Sequence, residues 1–127
     1  MAYSISTSTN VARINGVKCI RLAITETDVQ TNSEGTISDV NIPQFGTIVR
    51  YTADSDVSCT PELGRASGWT DDDIDQILSF GSGATYQDSD VNVHYYLSTP
   101  GRMYLRSSPG SNGAAINTDL LLIDGWI

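Results

Sequence analysis

From Val91 to Ser98 the side chains alternate: Val91, Val93, Tyr95 and Leu97 on one side, Asn92, His94, Tyr96 and Ser98 on the other. A period of two marks a strand with one buried face, because helical apolar positions recur every three or four residues. The same period runs from Val17 to Thr25, where Lys18, Ile20, Leu22 and Ile24 oppose Cys19, Arg21 and Ala23. The pair Asn15-Gly16 supplies a turn before it. Phe45 to Thr52 and Arg102 to Arg106 repeat the pattern, and Thr36 to Ile42 shows it imperfectly before Pro43 stops sheet pairing. The chain therefore reads as mainly β, an antiparallel β-sandwich or barrel-like domain.

Local signals add detail. Thr60-Pro61-Glu62 predicts a single helical turn, with proline at its first position. Thr70 and Asp73 form a capping-box-like pair ahead of Ile74, Ile77 and Leu78, and Gly81 follows as a stop. This predicts one short α-helix near residues 70–79. Thr99-Pro100-Gly101 predicts a hairpin with a three-residue loop, pairing Leu97 with Met103 and Tyr95 with Leu105. Leu120-Leu121-Leu122-Ile123 is apolar at every position, which suits a strand covered on both faces by the domain or by a neighbouring chain. Trp126 and Ile127 are expected to dock, since large apolar groups at a free end are costly in water. A length of 127 residues fits one domain, 1–127, with a short arm over about residues 1–10.

Charge narrows the partners. Fifteen acidic residues against seven basic ones leave a formal net charge of −8, which disfavours nucleic acid and anionic membrane surfaces. No apolar run approaches a membrane span, and the N-terminus lacks the basic and apolar regions of a signal peptide. Synthesis in a cytoplasm is the expectation. Cys19 and Cys59 have no second pair to make a CxxC site, and Cys19 reads as a small buried hydrophobe in a strand.

Catalytic signatures are missing: His94 is the single histidine and stands near no nucleophile motif. An enzyme is not expected, and neither is a cofactor or metal. Asp71-Asp72-Asp73 with Asp75 does not fit a calcium loop and reads as charge at a helix start. Asp54-Ser55-Asp56 and Asp88-Ser89-Asp90 read as turns. The most suggestive surface is the stripe Arg102, Tyr104 and Arg106, with Tyr96 and His94 across the expected hairpin. Arginine and tyrosine favour interfaces, but a solvated face held by cross-strand pairs explains the stripe equally well. Tyr96, Arg102, Tyr104, Arg106, Trp126 and Ile127 are the candidate partner-binding residues.

Several phrases carry a resemblance. Ile24-Thr25-Glu26-Thr27, Ile42-Pro43-Gln44-Phe45-Gly46-Thr47-Ile48 and Thr60-Pro61-Glu62-Leu63-Gly64 resemble the small accessory virion proteins of tailed bacteriophages. Tyr104-Leu105-Arg106-Ser107 and Leu121-Leu122-Ile123-Asp124-Gly125-Trp126 are similar to the same group, so the likeness extends from about residue 20 onward. The resemblance implies a β-sandwich-like decoration or cement protein on the capsid exterior. Its partners would be the major capsid protein and neighbouring copies of itself, for which a homotrimer is one arrangement. A tail, neck or fibre component is the alternative within that setting. A carbohydrate-binding β-sandwich is the alternative outside it, with Tyr96, Tyr104 or Trp69 stacking on sugar rings.

Overall fold

The computed structural model describes residues 2–71, 73–81 and 83–127, and the alternating segments are its strands. In chain order these are β1 (Ser4–Ile14), β2 (Val17–Val29), β3 (Gly35–Ser38), β4 (Phe45–Cys59) and β5 (Glu62–Gly64), followed by β6 (Gln76–Ser79), β7 (Ala84–Tyr96), β8 (Arg102–Arg106) and β9 (Ala114–Asp124). They form a five-stranded sheet in the order β1-β2-β9-β4-β7 and a four-stranded sheet in the order β3-β8-β5-β6. All pairings are antiparallel.

The two sheets pack as a β-sandwich around one main core. Ile20, Leu22 and Ile24 of β2, Ile48 and Tyr51 of β4, and Leu120 and Leu122 of β9 come from the larger sheet. Ile37, Leu63, Ile77, Met103 and Leu105 come from the smaller one. A second cluster of Val29, Cys59, Ala114 and Ile116 closes the opposite end. The β9 position explains its unbroken apolar run. As the central strand it turns Leu120 and Leu122 to the core, while Ile123 on the other face is also buried.

The expected helix near residues 70–79 is not there. The capping bonds do form: the Thr70 hydroxyl and amide both donate to Asp73 Oδ2, at 3.0 and 3.1 Å. They close a turn that leads into β6, and no described residue is α-helical. A helix this short is marginal in isolation, and an apolar stripe of three residues gives it little to bury. As a strand the segment buries Ile77, pairs with β5 along Glu62–Gly64, and leaves Ile74 78% exposed. Asp72 lies outside the described residues. The helical turn expected at Thr60-Pro61-Glu62 is likewise replaced, by the start of β5.

The hairpin centred on Pro100 is also corrected. β7 belongs to the larger sheet and β8 to the smaller, so Thr99-Pro100-Gly101 is a corner between sheets, closed by the Arg102 amide donating to Thr99 O. Both strands have the period expected of them, but period does not specify a partner. Asp54-Ser55-Asp56 and Asp88-Ser89-Asp90 are strand residues of β4 and β7 rather than turns. The N-terminal segment expected as an arm is paired with β2 from Ser4 onward.

Candidate functional site

Asn15 and Gly16 both take positive φ, 51° and 80°, as a two-residue hairpin turn requires. The turn joins β1 to β2 through the pair Ile14 and Val17. A short step in from that pair, the register runs Ala12–Cys19–Ile123–Thr47–His94 across all five strands. This row marks one end of the larger sheet on its outer face. Beyond it the hairpin projects, with Val11, Ile14 and Val17 exposed.

The C-terminus folds over the same end. Gly125, at φ 93°, turns the chain back so that its amide donates to Phe45 O at 2.9 Å. The Thr47 hydroxyl donates to Gly125 O at 2.8 Å, and the Ile127 amide reaches the same hydroxyl at 3.3 Å. Trp126 Nε1 donates to Tyr95 O at 2.8 Å. The indole meets Phe45 edge-on, with centroids 6.0 Å apart, and stacks on the His94 ring at 5.7 Å. His94 Nε2 lies 2.6 Å from the Ile127 carbonyl oxygen.

The tail is thus held by hydrogen bonds and not by the burial of Trp126 and Ile127 on which the expectation of docking rested. Phe45 and Trp126 are each 56% exposed and Ile127 64%. With Tyr96, Val11, Ile14 and Val17 they gather most of the large exposed apolar side chains at one end of one sheet. Clustered apolar surface marks interaction sites, whereas scattered apolar residues are ordinary; here Ile14 and Val17 share the outer face with Phe45 and Trp126, while Val11 lies on the face of Ile20. The hairpin beside it carries Arg13, Lys18 and Arg21, and no acidic residue precedes Glu26. Arg13 and Lys18 thus flank the hairpin side of this end, whereas exposed Asp124 stands on its C-terminal side and Arg21 is paired with Asp119.

The six sequence candidates divide between two places. Trp126, Ile127 and Tyr96 belong to this end, where Arg65 holds Tyr96 in place. Its guanidinium lies 4.3 Å from the Tyr96 ring centroid and its Nε donates to Tyr96 O at 2.9 Å. Arg102, Tyr104 and Arg106 line the outer face of the smaller sheet and do not meet Tyr96 across a ladder. Arg106 already has a role there. It sits 3.6 Å over the Trp69 ring and donates to Trp69 O at 2.5 Å. Trp69 itself packs on Gly64 and is only 2% exposed, so it is removed as a platform for sugar rings. Phe45, Val11, Ile14 and Val17 escaped the sequence reading. Apolar residues on both sides of Asn15-Gly16 were the available signal.

A separate shallow cleft of about 250 Å³ lies on the outer face of the larger sheet, lined by Arg21, Arg50, Thr52, Asp119 and Leu121 among others. Its charges are paired: Arg21 meets Asp119 at 3.2 Å, and Arg50 forks onto Asp88 at 2.7 and 3.0 Å. Among the described residues, no group of three His, Cys, Asp or Glu side chains is placed to hold a metal ion.

No protein-family model matches the chain. No curated protein matches it either. Among solved structures, a family 29 carbohydrate binding module aligns over 98% of this chain and 80% of its own, at 15% identity and a TM-score of 0.39. A mutant of such a module aligns over 98% and 82%, at 16% identity and the same TM-score. Likeness at this level assigns neither a residue role nor a ligand to this chain.

Proposed function

We propose that this protein works by docking onto a larger assembly and carries out no chemistry of its own. The observation that carries the reading is the exposed apolar end formed by the β1–β2 hairpin tip, Phe45 and the C-terminal Trp126 and Ile127. Burying those side chains against a partner would release water from surface that folding alone leaves wet. The assembly we infer is the head of a tailed bacteriophage, with this chain as a decoration or cement protein on the capsid exterior. The phrases from Ile24 to Trp126 that resemble accessory virion proteins support that setting. A protein that binds only the assembled lattice stabilises it by RT ln(1 + [L]/Kd), about 2.7 kcal/mol per site at a hundredfold excess over Kd. Repetition over a shell multiplies that small quantity.

The test is to prepare particles lacking the protein, add it back, and follow occupancy together with heat-induced DNA release. Rebinding with a raised release temperature is expected, and a Phe45→Ser, Trp126→Ser variant should rebind poorly. Rebinding without a shift would remove the cementing role and favour a tail, neck or fibre component. A second reading, carbohydrate binding, is favoured by the cleft of Arg21, Arg50, Thr52 and Asp119 around Leu121, which offers donors and acceptors beside an apolar floor. A glycan screen separates it: selective glycan binding abolished by Arg50→Ala, with no binding to particles, would replace the assembly reading.

A further inference from the structure

A sheet edge presents unpaired amides and carbonyls, and natural proteins protect such edges with charge, bulges, shortness or a covering segment. In the smaller sheet the edges β3 and β6 are short, four residues each, and Glu34, Asp39 and Asp75 stand next to them. In the larger sheet β7 is long but carries Asp88 and Asp90, and its register with β4 breaks between Ile48 and Arg50 and again between Asp54 and Cys59. The edge β1 has the least protection: its single charge, Arg13, stands next to the hairpin turn, and among the described residues the one loop hydrogen bond to it is Asn41 Nδ2 donating to the Thr9 hydroxyl at 2.9 Å. It runs eleven residues in unbroken register with β2, and Ser4 to Ala12 contains no charged side chain. On a chain of net charge −8 it is the edge at which two copies can approach without opposing acids.

We infer that β1 pairs antiparallel with β1 of a second copy about a two-fold axis at Ser8, joining two five-stranded sheets into one continuous sheet. The register follows from the residues. Centring on Ser8 sets Thr7 opposite Thr9, Ser6 opposite Asn10 and Ile5 opposite Val11, each pair sharing a face. Cross-strand threonine pairs and apolar pairs both support such a ladder. Val11, exposed in the single chain, gains an apolar neighbour, and Arg13 stays outside the paired segment. Centring on Thr9 instead would set Ile5 opposite Arg13. A two-fold contact is self-complementary and closed, so it uses the open edge without propagating a filament. The edges that remain are the guarded β7 strands. The hairpin tips of the two copies then point to opposite ends of the joined sheet. The inference rests on the edge alone and does not depend on which assembly the apolar end meets.

Sedimentation or light scattering across a dilution series of the full chain tests it. The wild-type protein should show the mass of a dimer, and Ser8→Lys, which opposes two like charges at the axis, should weaken dimerisation by about tenfold or more. A second variant makes the result independent of that charge. Ser8→Cys, in a chain with Cys19→Ser and Cys59→Ala, should oxidise to a disulfide-linked dimer, while Thr25→Cys in the same background should not. A wild-type chain monomeric throughout the series would overturn the inference. So would a dimer unchanged by Ser8→Lys that Ser8→Cys fails to link.

Discussion

Glu26 shows how one side chain can tie the fold to pH. It is 1% exposed, and its carboxyl accepts hydrogen bonds from the Tyr3 hydroxyl at 2.6 Å and the Ser107 hydroxyl at 2.5 Å. It thereby joins the N-terminus, β2 and the residue after β8. Burial raises its pKa above the ordinary carboxylate value and outweighs the two donors, which act in the opposite direction. The folded state therefore holds this proton to higher pH than the unfolded state does. The resulting contribution is fully present below the ordinary value and lost as pH rises through the raised one. Glu26→Gln keeps an oxygen for Ser107 and an amide for Tyr3 but cannot ionise. Urea midpoints measured from acid to neutral pH should fall for the parent over that window, and the Glu26→Gln variant should lose that component of the slope. At Gly64 the constraint is steric. A Cβ there would stand 2.2 Å from Trp69 Cδ2, so Gly64→Ala should cost about 1–3 kcal/mol, read as a lower urea midpoint at unchanged slope. The sequence displayed Gly64, Trp69 and Arg106 plainly, but nothing in their spacing announces that the three stack on one another.

Elements differ in how much their own residues decide. β9 is legible because four consecutive apolar residues suit a central strand whose outer face is also covered at Ile123. Its continuation, Gly125 to Ile127, is held by bonds to Phe45, Thr47 and Tyr95, and Thr47 beneath it is fully buried. Deleting Gly125–Ile127 should therefore lower stability by about 2–3 kcal/mol through lost bonds and uncovered surface. A truncated protein that melts with the full chain would show the docking to be without consequence. β6 is the opposite case. Thr70 and Asp73 make the bonds of a helix start, yet the next residues extend to pair with β5. Capping chemistry acts over one turn, whereas the choice between helix and strand lies with the sheet that gains or loses an edge. Far-UV circular dichroism should accordingly show a β spectrum without the helical double minimum, and a clear helical signal would reinstate the helix.

For the whole molecule, the arrangement of charge and apolar surface sets how it meets others. Arg13 and Lys18 lie at the hairpin and Asp124 beside the C-terminal tail, so the apolar end carries charges of both signs at its rim and projects from a body of net negative charge. If that end is the docking surface, Ile14→Asp should weaken capture by the partner shell at least about tenfold while leaving thermal stability nearly unchanged, because the side chain is 60% exposed in the free protein. Equal binding by the variant, measured as particle occupancy, would move the contact elsewhere. Most of the strands and the Asn15-Gly16 turn were legible before any packing was known, because each depends on residue period or local chemistry. The remainder came from how the sheets pack. Strand partners are chosen by which apolar faces meet across the core, so β7 and β8, adjacent in the chain and matched in period, went to different sheets. That choice separated Tyr96 from Arg102, Tyr104 and Arg106, turned Arg106 into a cover for Trp69, and brought Phe45 against Trp126 at the end where the hairpin tip projects. Periodicity says which side of a strand is wet, and only the packed sheets say what lies next to it.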